Sequence, residues 1–282
     1  MSIGWHDLPE LRSPGALVAF SGWGDAANAA TGAVEYLMRG YDGGRLLAQI
    51  SCDDYLDFTQ RRPIVSMVEG GTRRVTWPDT SAYGIELEGQ PRDLVVILGD
   101  EPHLAWQRFA ATVIELLQAL GVSQVVTLGA FIGQVAHTLP VPVVGVIEDP
   151  ELLEQHGLMA SNYEGPTGIV GVLNDAFVRA DLDSASLWAA IPHYLAANPN
   201  PRAMLALLQR AAALLGVAVE TTALAVEAAE FQSKVDEAVL RSSDLAGYVR
   251  RLEQAGDQPE MQADAGAELV TEIEHFLRGE DG

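Results

Sequence analysis

Three short segments hold the residue types that could do chemistry, and each has a plainer reading beside it. The first is Gly22-x-Gly24-x-x-Ala27, set between an apolar run and a stretch of small residues. A glycine turn of this spacing between a strand and a helix lets backbone N–H groups meet a pyrophosphate, and Asp53 or Asp54 follows the next apolar run, where a ribose-binding acid would stand. Asp25 inside the turn would repel that pyrophosphate and is suited to cap the helix, so a tight strand-to-helix turn is the preferred reading.

The second segment, Asp100-Glu101-Pro102-His103, follows a strongly apolar run. Loops at strand C-termini are where open α/β sheets place ligands, and a carboxylate pair beside an imidazole can supply a poised acid or base. The same residues meet the needs of a helix start, with Asp100 as cap, Glu101 near the dipole and Pro102 in the first turn, and that account is preferred. The third group is His137 with the turn-rich Tyr163-Glu164-Gly165-Pro166-Thr167-Gly168. If Asp25, Glu101, His137 and Glu164 converge, with Gly22, Trp23, Gly24, Asn28, Asp100, His103 and Tyr163 around them, they form a polar pocket able to hold a small ligand or a metal. Convergence is a property of the fold, not of the spacing.

Other chemistries find little support. Ser21 lies in no G-x-S-x-G elbow. Cys52 is the single cysteine, which leaves no internal disulfide and no cysteine-built zinc site, and fits a reducing compartment. Of the 17 basic residues one, Lys234, is a lysine, so no glycine-rich loop carries a Walker-type lysine. No pair of histidines or carboxylates repeats at a recognisable ligand spacing, and neither metal nor cofactor is expected. A formal net charge of −22 disfavours nucleic acid and anionic membrane surfaces. No run reaches the roughly 20 apolar residues of a membrane span, and Met1 to Glu10 carries Trp5, His6 and Asp7 where an export signal would show a basic start and an apolar block. A cytoplasmic protein is expected.

The elements that must position these residues follow from the apolar pattern. Ala16 to Ser21 reads as a strand, the turn and helix through Arg39 follow, and Arg45 to Ser51 reads as a second strand completing a βαβ unit. Ile64 to Val68 and Arg74 to Trp77 flank a glycine-rich turn at Glu69-Gly70-Gly71-Thr72 and predict an inserted or edge hairpin. Leu94 to Leu98, Gln124 to Leu128 and Pro142 to Ile147 are buried-type strands, with a helix over Leu104 to Leu120 ended by Gly121. A helix from Ile169 to about Arg179, a short final strand at Ser186 to Ile191, and a helix over Arg202 to Leu215 opened by Asn200-Pro201 complete the core. Beyond Thr221 the pattern is helical and acidic: Ala223 to Arg241, Leu245 to Glu253 and Ala263 to Leu277. Strands alternating with helices predict a mostly parallel sheet covered on both faces.

Several blocks then fall in one order. Phe20-Ser21-Gly22-Trp23-Gly24-Asp25-Ala26-Ala27, Leu98-Gly99-Asp100-Glu101-Pro102 with Trp106 and Phe109, Leu128-Gly129-Ala130, and His137-Thr138 before Pro140-Val141-Pro142-Val143 resemble the proteasome assembly chaperone 2 family. So do the Tyr163 to Gly168 block, Ser186-Leu187-Trp188-Ala189 with Pro192-His193-Tyr194, and Asn200-Pro201. The resemblance spans roughly residues 15 to 255. It implies a three-layer αβα sandwich of phosphorylase/hydrolase-like architecture with a C-terminal helical extension, a core over 1–218 and an appendage over 219–282. It also implies a homo-oligomer, taken as a trimer, and a protein partner that is proteasome-related, because eukaryotic and archaeal relatives are associated with proteasome assembly. It implies no reaction. The alternative is a small-ligand-binding enzyme of hydrolase or nucleoside-phosphorylase-like type using the polar cleft.

Overall fold

The computed structural model describes residues 3–68, 71–147, 149–197 and 199–255. In chain order the elements are β1 (Ile3–Trp5), β2 (Gly15–Ser21), α1 (Ala29–Arg39), β3 (Arg45–Ser51), β4 (Ile64–Met67), β5 (Arg73–Thr76), β6 (Asp79–Ile85) and β7 (Leu94–Asp100). They continue as α2 (Trp106–Ala119), β8 (Gln124–Gly133), β9 (Val143–Val146), α3 (Pro150–Gln155), β10 (Met159–Ala160), α4 (Ile169–Arg179), β11 (Asp183–Pro192), α5 (Pro201–Leu215), α6 (Thr222–Arg241) and α7 (Ser243–Ala255). The expected segment Ala263 to Leu277, and Glu69-Gly70 at the hairpin tip, lie outside the described residues.

One sheet holds the order β1-β3-β6-β7-β2-β8-β11-β9-β10. Its centre, β7-β2-β8-β11, is parallel, while β6, β3 and β1 on one flank and β9 on the other join by antiparallel pairing. Successive residues of a strand point to opposite faces, so β2, buried along nearly its whole length, serves both. Leu17 and Ala19 pack with α1 and α5 on one side. Ala16, Val18 and Phe20 pack with α2 and α4 on the other. That is the three-layer sandwich the sequence implies. α1 lies close to α5 because its inner residues are small: a Cβ on Gly32 would overlap Met204. α5 starts as its sequence dictates, with Asn200 accepting from Ala203 N at 3.1 Å and Pro201 in the first turn. It stops at Gly216, φ +65°, where a left-handed residue releases the chain.

Several expectations need correction. β3 is not beside β2: β7 and β6 intervene, so the βαβ unit is not a pair of neighbouring strands and Asp53 and Asp54 sit three strand positions from the glycine turn. Asp100 is not a helix cap. It ends β7, paired with Ser21, and α2 starts later, after Ala105 at φ +53°. β11 is the last strand in chain order, as expected, but it is ten residues long instead of short and lies inside the sheet between β8 and β9. The hairpin β4–β5 forms as expected, as a separate two-stranded sheet. α6 and α7 pack on the chain's own core: Val235, Val239, Leu245 and Val249 form a cluster with Ala136, Tyr194 and Leu195.

Candidate functional site

The ends of β2 and β7 bring Ser21, Asp100 and Glu101 to one rim of the sheet. Ser21 Oγ donates to Asp100 Oδ1 at 2.6 Å, and Arg61 Nε donates to Asp100 Oδ2 at 2.8 Å. Both oxygens of Asp100 are therefore engaged. Glu101 points the other way and joins two further segments: Trp23 N donates to Oε2 at 3.0 Å and Ile169 N donates to Oε1 at 2.8 Å. Ile169 opens α4, so Glu101 acts as the cap of a helix 68 residues downstream, where a carboxylate also suits the helix dipole. Gly22 has φ +133°, and a Cβ there would sit 2.8 Å from Glu101 Cβ; a Cβ on Gly168 would sit 2.6 Å from Glu101 Oε1. These glycines make room for a carboxylate of the chain itself.

The rest of the fingerprint is used in the same way. The Gly24 carbonyl accepts from Ala130 N at 2.7 Å, tying the turn to β8. Asp25 is 6% exposed. Its carboxylate accepts from Ala30 N at 2.8 Å, from Thr31 N at 3.2 Å and from the Thr31 hydroxyl, and so caps α1 across the short turn Ala26–Asn28. Burial pushes its pKa up, against the bonds from Thr31 and Ala30 that pull it down.

Of the residues singled out from sequence, Gly22, Trp23, Asp100, Glu101 and His103 line one open pocket of about 500 Å³ with Ser21, Arg61 and Trp106. His103 Nδ1 accepts from Asp57 N at 3.0 Å. Trp23, 56% exposed, divides this pocket from a larger groove of about 940 Å³. Tyr163 and Glu164 line that groove, with Phe131, Asn174, Asp175 and Trp188. Its floor is Trp188, whose indole lies over Gly129: a Cβ there would come within 2.5 Å of the ring. Trp188 Nε1 donates to Ser186 Oγ at 2.9 Å. Gly24 and Asp25 are the buried residues of the turn and line neither of these two pockets.

Two of the singled-out residues lie elsewhere. Asn28 lines a separate groove between α1 and α6, beside Glu35 and Lys234. His137 is 3% exposed, with Nδ1 2.8 Å from the Tyr194 hydroxyl and Nε2 3.1 Å from Asp236 Oδ1. The same hydroxyl accepts from His137 N at 2.9 Å, so it donates to Nδ1, and the proton on Nε2 goes to Asp236. Burial lowers the His137 pKa, opposed by Asp236. Arg202 donates to the carbonyls of His137 and Leu139. His137 therefore fastens α6 to the core instead of facing Glu164. Sequence reasoning does not find Arg61 and Asp236, which lie far from the three segments in the chain, or Asn174, which stands on α4 just past the Tyr163 to Gly168 block. Among the described residues no group of three or more His, Cys, Asp or Glu could hold a metal ion, and no helix is long and apolar enough to cross a membrane.

Comparison with known proteins places this geometry among relatives. The model of the PAC2 family matches residues 19–239. A PAC2 family protein from Streptomyces avermitilis is 43% identical, with 84% of this chain and 99% of that chain covered and a TM-score of 0.77. A proteasome-assembly chaperone homologue from Mycobacterium tuberculosis is 36% identical over 83% of this chain and 99% of its own, at a TM-score of 0.76. An archaeal proteasome activator from Pyrococcus furiosus, at 16% identity over 84% of this chain and 97% of its own, shares the fold with a TM-score of 0.62. A comparison with the curated proteins gives no match.

Proposed function

The chain belongs to the PAC2 family, and from that premise we propose that it is an oligomeric protein-interaction scaffold of the assembly-chaperone kind, with proteasome subunits as its partners. The observation that carries this reading is the use made of the candidate acids and bases. The Glu101 carboxylate takes two backbone N–H groups, Asp25 takes three donors, Asp100 is held by Ser21 and Arg61, and His137 is buried between Tyr194 and Asp236. General acid–base catalysis needs a group within hydrogen-bond reach of a reacting proton. A hydrolase- or phosphorylase-like enzyme would have to give up these structural bonds to work.

What supports the interaction reading is the 36% identical relative described as a proteasome-assembly chaperone homologue, together with large apolar side chains left exposed at Trp23, Val65, Met67 and Trp77. A cytoplasmic location, a trimeric state and the division into a core at 1–218 and an appendage at 219–282 belong to the same proposal. The test is native mass spectrometry of the purified chain mixed with the host's proteasome α and β subunits. A complex of fixed stoichiometry with free or half-assembled subunits is expected. A folded chain that binds none of these species contradicts the proposal.

A further inference from the structure

The groove of about 940 Å³ beside α4 falls within the roughly 300–1,000 Å³ of small-molecule sites. Trp188 of β11, on its floor, stands opposite Gly129 of β8 and Val144 of β9. The missing side chain at Gly129 lets the indole lie flat: a Cβ there would come within 2.5 Å of the ring, and one on Gly24 within 3.3 Å. One face of the ring rests on the sheet and the other is turned to the groove. The indole N–H already donates to Ser186 Oγ at 2.9 Å, and the Tyr163 hydroxyl at the rim donates to the Pro166 carbonyl at 2.9 Å. What both rings offer a guest is therefore the aromatic face, the negative side of the ring quadrupole, which attracts cations. Phe131, Val144 and Val146 extend the floor as apolar surface.

The polar groups around that floor are acceptors. Among the described residues of the lining the charged ones are Glu164 and Asp175, both acidic. Asp175 is paired with Arg179 one turn along α4, at 3.0 Å on the surface, a contact of small energy that a stronger partner displaces. Asn174 Oδ1 is buried without a hydrogen-bond partner among the described residues, and a buried acceptor left unpaired is unfavourable. A neutral apolar guest leaves all three unmet, and an anion is repelled by two of them. Glu164 stands before α4 and Asp175 in its second turn, about 9 Å along the axis from its start. Two ammonium groups joined by an apolar spacer match them better than a single charge.

We propose that the groove binds an aliphatic diamine or polyamine, with its methylene chain on Trp188, its ammonium groups at Glu164 and Asp175, and an N–H of one of them on Asn174 Oδ1. This is a ligand site with no reaction attached. It stands whether or not proteasome subunits bind elsewhere on the chain.

Isothermal titration calorimetry of the purified full chain tests this with spermidine and hexamethylenediamine as probes, at about 150 mM salt, where diffuse attraction to a chain of net charge −22 is screened. Saturable binding at one site per chain is expected for both. Hexamethonium keeps the spacer and both charges but carries no N–H, and it binds about tenfold or more weakly than hexamethylenediamine. Asn174→Leu erases that preference. Glu164→Gln/Asp175→Asn weakens both amines about tenfold or more. Glu227→Gln/Glu230→Gln removes the same charge from the exposed face of α6 and changes affinity less than about twofold. All three variants keep native circular dichroism. No saturable binding, equal affinity for hexamethonium, or equal weakening by the groove and α6 pairs overturns the inference. So does a pentalysine peptide that binds when neither amine does, which assigns the groove to a basic protein tail.

Discussion

Replacing Glu101 with glutamine removes charge from the point where three segments of the chain are joined. The carboxylate now accepts from Trp23 N and Ile169 N, and each charge-assisted bond contributes about 1.5–3 kcal/mol. Glutamine restores one of them as a neutral bond of about 1 kcal/mol and turns its NH₂ toward the other donor. Loss of the negative charge at the start of α4 adds about 0.3–1 kcal/mol. Glu101 is only partly buried, so the lower end of the range applies and the net destabilisation is about 2–3 kcal/mol. Urea unfolding followed by tryptophan fluorescence measures it as a lower midpoint at unchanged slope. A second substitution sharpens the argument. Gly168 has φ −93°, open to any residue, yet a Cβ there would lie 2.6 Å from Glu101 Oε1, so Gly168→Ala costs about 1–3 kcal/mol through overlap. In a Glu101→Ala background the overlapping group is gone, and the two effects fall short of additivity by about 1 kcal/mol or more. A Glu101→Gln midpoint equal to wild type, or an additive pair, refutes the view that this acid serves the fold.

Other consequences can be checked with the same preparation. Tyr194→Phe leaves His137 N and Nδ1 without the hydroxyl that serves both and lowers stability by about 2–4 kcal/mol in denaturant unfolding; a change below about 0.5 kcal/mol contradicts the assigned bonds. Burial lowers the pKa of both His137 and His193, so below about pH 6.5 the unfolded chain binds protons that the folded chain resists. Their contribution is complete above that pH and is lost as the pH falls through the lowered folded values, by at most about 1.4 kcal/mol per histidine per pH unit. A His137→Gln/His193→Gln variant flattens that slope, and an equal slope in both proteins rejects the cause. Burial pushes the Cys52 thiol up to about 11, so iodoacetamide labels the native chain at least roughly tenfold more slowly than the unfolded one; equal rates would mean an accessible thiolate.

The parts of the fold legible in the sequence are those whose signals are local. β2, α4 and α5 stand close to where an apolar run, the end of a turn-rich block and Asn200-Pro201 put them. β1 and β10, of three and two residues, exist because partner strands complete them, and no local pattern announces that. Asp100 carried every local mark of a helix start, but pairing of β7 with β2 extends the strand through it, and tertiary structure prevailed over propensity. The glycine turn is legible as a tight strand-to-helix device, yet its reason, room for Glu101, comes from a residue nearly 80 positions away. His137 could not be separated from the cleft by sequence because its partner Asp236 is 99 residues downstream.

The central claim, that this chain works by holding protein subunits, is tested most directly by following 20S particle formation from purified proteasome α and β subunits with and without it. The account predicts that the chain is found at fixed stoichiometry on an assembly intermediate and changes the rate at which complete particles appear. Superimposable time courses, with the chain on no intermediate, would contradict it.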